Sequence, residues 1–252
     1  MTHPVRIEFN LRMRRGWRKC ILQLGLLGAL AASAQTVREI KPASQPTGSY
    51  IVFKFDWDQG LPWVKYTISV DDAGGAHFQG NGNPEESGDG DEFSQDFTAS
   101  DANRQKIFDL AKKADYFQGN LEIKQKNIAQ TGQKTLEYHG IRAGTTSATY
   151  NYSPDQNVEE LTRIFQAVAT TIDFGRKLAF DYRFNKLGID ARLHSLQDMQ
   201  ASHYIEELQA IEPILQKIAA DPNMMHINRV TAGQLLKSIG PTIGPSAPAS
   251  QP

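Results

Sequence analysis

The sequence has 252 residues, with 27 Lys and Arg, 28 Asp and Glu, a formal net charge of −1 and a single cysteine, Cys20. One cysteine cannot form a disulfide within the chain or a metal site built from several thiolates. The fold must therefore rest on an ordinary hydrophobic core, and the chain is long enough for one domain or two small ones.

The first 34 residues have the pattern of a secretory signal peptide. The apolar run Cys20–Ala34 has 15 residues, whereas a membrane-spanning helix needs about 20. Five basic residues between positions 12 and 19 precede this run, and it ends in Ala32-Ser33-Ala34, a small-x-small sequence that suits cleavage before Gln35. We therefore predict cleavage after residue 34, starting from Met1 or Met13, and a periplasmic or secreted location.

Removal of this leader changes the charge of the chain. The remaining 218 residues contain 21 basic and 27 acidic residues, a net charge of about −6. Such a balance argues against nucleic acid as a partner, because binding to phosphate chains needs a basic face. Cys20 leaves with the leader, so no thiol nucleophile remains. The mature sequence contains no second apolar run that predicts a membrane span.

Residues 35–48 are polar and contain two prolines, which predicts a linker, and residues 49–153 have the pattern of an α+β domain. Runs rich in β-branched and aromatic residues, separated by turn residues, predict six strands: Tyr50–Asp56, Val64–Val70, Ala76–Gly80, Phe93–Ser100, Lys134–Gly140 and Thr146–Tyr152. After the fourth strand, apolar residues at i, i+3, i+4 and i+7 predict a helix over Asp101–Ala114, capped by Ser100.

From residue 154 to residue 240 the hydrophobic period is helical, which predicts a helical extension. Its first helix opens at Asp155, a suitable N-cap, and is predicted to continue as far as Leu187. A second apolar stripe over residues 196–218 predicts another long helix, kinked at Pro213.

A short helix is predicted over Thr231–Ile239, and residues 241–252 are predicted to be disordered because they lack large apolar side chains. The fold class that follows is α+β. It combines a small antiparallel sheet of about five to six strands and one packed helix with an all-helical C-terminal extension.

One part of the sequence resembles a family of uncharacterised exported bacterial domains, a domain of unknown function. The shared pattern is a Tyr-x-Val-x-Ile strand, a glycine turn, a short return strand ending in glycine, and a helix ending Ala-Asp-x-Phe. The matching residues are Tyr66, Ile68, Gly74, Phe78, Gly80, Ala114, Asp115 and Phe117. Members of the family often carry a Gly-x-Cys-Pro turn, whereas this chain has Gly60-Leu61-Pro62 without the cysteine. The resemblance implies the fold of this region and attaches no activity to it.

An acidic segment between the third and fourth predicted strands is a candidate calcium site. Calcium prefers six to eight oxygen ligands, and the segment imitates the spacing of an EF-hand loop. The candidate ligands are Asn81, Asn83, Glu85, Asp89, Asp91 and Glu92. Position six of such a loop should be glycine but is Glu86, and Pro84 stiffens position four. A solvated acidic loop is therefore the alternative interpretation.

The turn after the first predicted strand is a candidate binding site. It contains Trp57, Asp58 and Trp63, with Gly60 and Pro62 between them. Exposed tryptophans on a rigid turn are typical of protein interfaces and sugar platforms, because they offer a large contact area at a small entropy cost. The alternative is that the rings fold back over the end of the sheet.

Local catalytic motifs are absent from the sequence, including GxSxG, SxxK, GxxxxGK[ST], GxGxxG and HExxH. His203 and Glu207 are one turn apart in the second predicted helix, but no second histidine stands at a zinc-binding spacing. We assign no catalytic residue and predict a non-catalytic interaction or ligand-binding module of the cell envelope, with an envelope protein or glycan as its partner. The alternative is an envelope-acting hydrolase in which His77 or His139 meets an Asp or Glu in a pocket.

Overall fold

The computed structural model of this protein describes residues 48–57, 63–82, 92–123, 128–140 and 143–239. The predicted signal peptide, the predicted linker up to residue 47 and the predicted disordered tail lie outside the described residues. All described residues belong to one unit of the chain, Ser44–Pro252.

Six strands form one antiparallel sheet, which confirms the predicted α+β class. They are β1 Tyr50–Asp56, β2 Trp63–Asp71, β3 Gly75–Gly82, β4 Glu92–Thr98, β5 Gln133–Gly140 and β6 Gly144–Tyr150. Their order across the sheet is β4-β3-β2-β1-β5-β6. The first four strands thus form a meander, and the β5–β6 hairpin pairs with the other side of β1. Consequently β4 and β6 are the edge strands of this sheet.

One face of the sheet forms the main hydrophobic core. The alternation of β1 turns Ile51, Phe53 and Phe55 to this face, and all three are buried. It is covered by helix α1 (Asp101–Lys113) and by the first half of helix α2 (Gln156–Phe184), whose Phe165 ring stacks on Phe53 with the ring centroids 5.1 Å apart. The opposite face carries mainly polar and charged side chains, as antiparallel sheets often do.

The predicted helix caps are present. The hydroxyl of Ser100 accepts a hydrogen bond from the Asn103 N–H at the start of α1, and Asp155 Oδ1 accepts one from the Asn157 N–H at the start of α2. Each cap satisfies one of the backbone donors that the first turn of a helix leaves unpaired. These local signals fix where both helices begin.

Helix α2 passes through two hydrophobic clusters. Residues up to Ile172 pack on the sheet, whereas Leu178 belongs to a second cluster that is completed by three further helices: α3 Ile189–Ala201, α4 Glu212–Ala220 and α5 His226–Ser238. Across the described ranges, the structure contains no helix with the length and apolar character needed to cross a membrane.

The predicted long helix over residues 196–218 is wrong, because the chain leaves the helix at Ser202. His203 and Glu207 both adopt left-handed backbone conformations, with φ of 57° and 58°, so they do not share a helix face. The buried Glu207 carboxylate accepts hydrogen bonds from the backbone N–H and the hydroxyl of Ser100, at 2.8 and 3.0 Å. These long-range contacts outweigh local helix propensity. Pro213 opens α4 in its first turn, where proline is tolerated.

Two other helix boundaries differ from the prediction. Helix α2 ends at Phe184 and not at Leu187, because the chain enters a 3₁₀ turn over Lys186–Gly188. Helix α5 begins at His226, five residues before the predicted start, and so forms a full fourth helix of the C-terminal part.

A charged network joins α1, α2 and the segment after α3, and it predicts a dependence of stability on pH. Hydrogen bonds from Arg163, helped by Lys106, lower the pKa of the Glu160 carboxyl from 4.5 to about 2. The ionised carboxylate therefore stabilises the folded state above the unfolded pKa, and this contribution is lost as the pH falls through the folded value. We expect the difference in urea midpoint between the wild type and Glu160→Gln to shrink between pH 4.5 and about 2.

The control for this pH dependence is Arg163→Met, which removes the main cause of the lowered pKa. In that background the Glu160→Gln substitution should change the pH profile much less. A difference between wild type and Glu160→Gln that stays constant over the same range would contradict this assignment.

Candidate functional site at the β4 edge of the sheet

Strand β4 is the first component of the candidate site. Among the described residues it pairs only with β3. Edge strands present backbone N–H and C=O groups that the sheet does not use, so they can accept a further strand. One of these groups is engaged, since Gln209 Nε2 donates a hydrogen bond of 3.1 Å to the Thr98 carbonyl. That bond anchors the end of β4 nearest to α1.

A groove of about 500 Å³ lies between β4 and helices α2 and α4, within the usual range of ligand sites. Its walls include seven apolar side chains: Phe93, Phe97, Ala179, Ala210, Ile211, Pro213 and Ile214. Gly175 and Ala179 place little side-chain volume on this side of α2, so the rings of Phe93 and Phe97 stay partly exposed. An apolar groove therefore runs beside the edge strand.

Hydrogen bonds hold the two walls of the groove together. Gln95 Nε2 donates to the carbonyl of Ala210 at 2.5 Å, which links β4 to the 3₁₀ turn Leu208–Ile211. This turn leads directly into α4, which carries Pro213 and Ile214. The groove is thus built on regular elements that are tied to one another.

On the solvent face of β3 and β4, three polar side chains lie next to one another. Ser94 and Asp96 belong to β4, and His77 on β3 contacts both. The β3–β4 register pairs His77 directly with Asp96, and Ser94 is a diagonal neighbour on the same face. The distance from His77 Nδ1 to Asp96 Oδ1 is 2.6 Å, and that from Ser94 Oγ to His77 Nε2 is 3.4 Å. Asp96 also borders the groove. The two features therefore flank the same strand.

The chemistry of this cluster follows from the ionised Asp96 carboxylate, which can only accept hydrogen bonds. The Nδ1–H of His77 then donates a hydrogen bond to Asp96, and in the neutral imidazole Nε2 is left to accept from the Ser94 hydroxyl. Serine, histidine and aspartate have these roles in hydrolytic triads. Two properties differ from such triads: Asp96 is 86% exposed, and the Ser94–His77 distance is longer than the usual O–H hydrogen bond.

His139 lies toward the other edge of the same open face. Its ring stacks on Tyr50 with the centroids 4.4 Å apart, and its Nε2 lies 3.5 Å from Glu137. Glu137 is also paired with Lys54 at 2.6 Å. The structure thus brings each of the two histidines considered in the sequence to a carboxylate.

The tryptophan turn lies at the end of the sheet where β1 ends and β2 begins. Trp57 is partly buried and packs against the main core, and its Cβ is so close to Gly132 that a side chain there would crowd it. Asp58 and the side chain of Trp63 lie outside the described part of the structure. A binding role for this turn therefore stays a prediction.

Of the six candidate calcium ligands, only Asn81 and Glu92 lie in the described ranges. They face each other across the β3–β4 ladder, and Glu92 accepts a hydrogen bond from Gln79. Asn83, Glu85, Asp89 and Asp91 lie outside those ranges. Over the part that the structure describes, no group of three or more His, Cys, Asp or Glu side chains is arranged to hold a metal ion. Calcium binding stays a prediction.

Sequence reasoning considered a carboxylate partner for His77, but it found neither the groove nor the particular partners Ser94 and Asp96. The alternation of Phe93 and Phe97 with Ser94 and Asp96 was a visible signal that β4 has one apolar and one polar side. The groove was not visible, because its second wall comes from α4, more than 100 residues further along the chain.

Comparison of the sequence with models of known protein families gives no match, and a search of curated proteins finds no significantly similar sequence. The resemblance to a family of exported domains stays a prediction.

Proposed function

We propose that this protein is an exported, non-catalytic interaction module of the cell envelope that binds an extended polypeptide segment along β4. The observation that carries the proposal is the edge of β4, which pairs with β3 alone among the described strands, beside an apolar groove of about 500 Å³. Export is supported by the signal-like pattern of residues 1–34.

The binding mode that fits this geometry is strand addition. A peptide that pairs with a sheet edge gains main-chain hydrogen bonds, and its alternate side chains enter pockets on one face. Here one set of side chains would reach the groove walls at Phe93, Phe97 and Ile214. The other set would lie on the solvent face beside Asp96 and Glu92, both of which are exposed.

The negative charge of β4 and of the mature chain indicates which kind of peptide segment binds. Two exposed carboxylates on β4 and a mature chain with a net charge of about −6 favour a basic segment. We therefore propose a partner segment in which apolar residues alternate with Lys or Arg.

A peptide library displayed on phage tests the proposal directly. The purified protein should enrich extended sequences with alternating apolar and basic residues, whose dissociation constants are then measured by fluorescence anisotropy. Ala179→Phe fills the groove from α2 and should weaken binding at least about tenfold. Tyr204→Ala, an exposed change away from the groove, is the matched control and should leave affinity unchanged.

Two outcomes count against strand addition at β4. One is that no peptide is enriched. The other is that peptides bind with the same affinity to wild type and Ala179→Phe. In the second case Trp57→Ala becomes the informative variant, because loss of binding there would move the site to the tryptophan turn.

The Ser94–His77–Asp96 arrangement favours a second candidate function, an envelope-acting hydrolase. Ser94 Oγ would attack a carbonyl carbon while His77 takes its proton and Asp96 holds the ring. Binding is preferred because Asp96 lies in water, where its charge stabilises an imidazolium much less than in a closed site.

A serine-directed fluorophosphonate probe separates the two candidates. A hydrolase should be labelled in the wild type and lose labelling in Ser94→Ala and His77→Gln. Ser69, which pairs with His77 from β2, provides the matched control Ser69→Ala. Absence of labelling, or labelling that persists in Ser94→Ala, rules out the triad.

A further inference from the structure

The solvent face at the end of α2 carries an exposed apolar patch. Phe180 is 59% exposed, Phe184 is 72% exposed, and Leu187 in the following 3₁₀ turn is 84% exposed. The two phenylalanine rings contact each other, with their centroids 5.0 Å apart. Three large apolar side chains are thus presented to water within two turns of chain, a feature that marks an interaction surface.

Helical spacing explains why these side chains share one face. Phe180 and Phe184 are four residues apart, and Leu187 follows after three more, so the stripe continues from α2 into the turn. On the opposite face of α2, Leu178 and Asp181 are buried, and Leu178 belongs to the second hydrophobic cluster. The stripe is therefore additional to the residues that hold α2 in the fold.

The patch is flanked by basic side chains. Arg183 is exposed and forms no ion pair with any residue that the structure describes. Lys186 is about half exposed and lies 3.4 Å from Asp221, over the ring of Tyr182. Residues 173–194 contain five Arg and Lys against three Asp, in a chain that is acidic overall once the leader is removed.

Most cations of this region have an acidic partner. Lys186 pairs with Asp221, and the partly exposed Asp190 lies 3.7 Å from His194. Asp173 is buried and paired with Arg176 and Lys177, and Asp181 is buried and paired with Arg192. Arg183, next to Phe184, therefore remains as a cation without an ion pair among the described residues, and Lys186 beside it is about half exposed.

We propose that this patch, defined as Phe180, Arg183, Phe184, Lys186 and Leu187, docks the protein on the surface of an anionic phospholipid bilayer. Phenylalanine and leucine insert at the boundary between headgroups and acyl chains, while Arg and Lys contact anionic headgroups. A second copy of the chain fits the patch less well, because a symmetric contact would bring Arg183 and Lys186 of both copies together. This inference is independent of the binding function proposed for β4.

Vesicle co-sedimentation tests the inference. We expect binding to phosphatidylcholine vesicles that contain about 30% phosphatidylglycerol, weaker binding to phosphatidylcholine alone, and release by salt. The double variant Phe180→Ser, Phe184→Ser should lower the partition coefficient at least about tenfold, since both insertion points are lost. Arg183→Glu should lower it about fivefold or more on the anionic vesicles only.

The matched control is Ile227→Ser, an exposed apolar change on α5 that should leave vesicle binding intact. Both phenylalanines are exposed, and thermal unfolding should show that the double variant remains folded. Three results would overturn the proposal: no binding of the wild type to anionic vesicles, binding that persists in the double variant, or a dimer of the wild type that the double substitution dissociates.

Discussion

Arg192→Met is expected to lower the free energy of unfolding by about 3 kcal/mol, because it breaks an ion pair whose carboxylate is buried. Arg192 on α3 contacts Asp181 on α2, with Nε 2.5 Å from Oδ2. The Asp181 side chain is only 3% exposed. Removal of the arginine leaves a buried carboxylate with the Asn185 amide, at 3.4 Å, as its remaining side-chain partner in the described structure. The cost arises from desolvation that is no longer compensated.

A double-mutant comparison separates this mechanism from a simple loss of packing. Asp181→Asn combined with Arg192→Met leaves no charge buried at this site. The double variant should therefore be less destabilised than the single variant Arg192→Met. Urea unfolding at neutral pH gives the values. The control is Lys65→Met, which breaks the exposed pair with Asp56 and should cost less than about 1 kcal/mol. If Arg192→Met costs no more than Lys65→Met, the ion pair contributes little to folding.

The elements that the sequence predicts well are those with local causes. Tyr50–Asp56 has the bounds that its composition indicates, and Ser100 and Asp155 cap their helices as expected. Each of these features depends on side chains within a few residues of the backbone they stabilise. Their signals are therefore visible in a single stretch of sequence.

Features with distant causes were not predictable in the same way. The break after α3 depends on Glu207, whose hydrogen-bond partner Ser100 lies 107 residues away. The His77–Asp96 contact depends on the register of β3 against β4. Strand order decides that β4 is an edge, and no local property of Glu92–Thr98 distinguishes an edge strand from a central one.

Trp57 is an intermediate case, because a local signal was present. Ile51, Phe53 and Phe55 face the core, and the same period of two continues to Trp57. Alternation alone thus favours a Trp57 ring that packs against the end of the core, and in the structure Trp57 packs against this core. The contact area left for a ligand at this turn depends on Trp63, whose strand begins there.

The contact between α2 and the turn before α4 predicts opposite effects for the same substitution at two glycines. Gly175 lies where α2 packs on Ile211: a Cβ built there would overlap Ile211 Cγ2 and lie 3.0 Å from its Cβ. Gly233 lies inside α5, and no atom lies within 4 Å of the Cβ that alanine would add. Both glycines lie inside helices, so the two positions differ in the room available for a Cβ and not in secondary structure.

Gly175→Ala is expected to lower the free energy of unfolding by about 1–3 kcal/mol, because a β-branched neighbour cannot move aside without shifting the turn Leu208–Ile211. Gly233→Ala is expected to raise it by about 0.5–1 kcal/mol, since alanine costs less backbone entropy in a helix. Denaturant unfolding of both variants gives the two signs. Because Gly175 and Ile211 also line the groove beside β4, the Gly175→Ala shift should weaken peptide binding there, whereas Gly233→Ala should not. Stabilisation by both substitutions would show that Ile211 relaxes freely and that the close approach of α2 does not shape the groove.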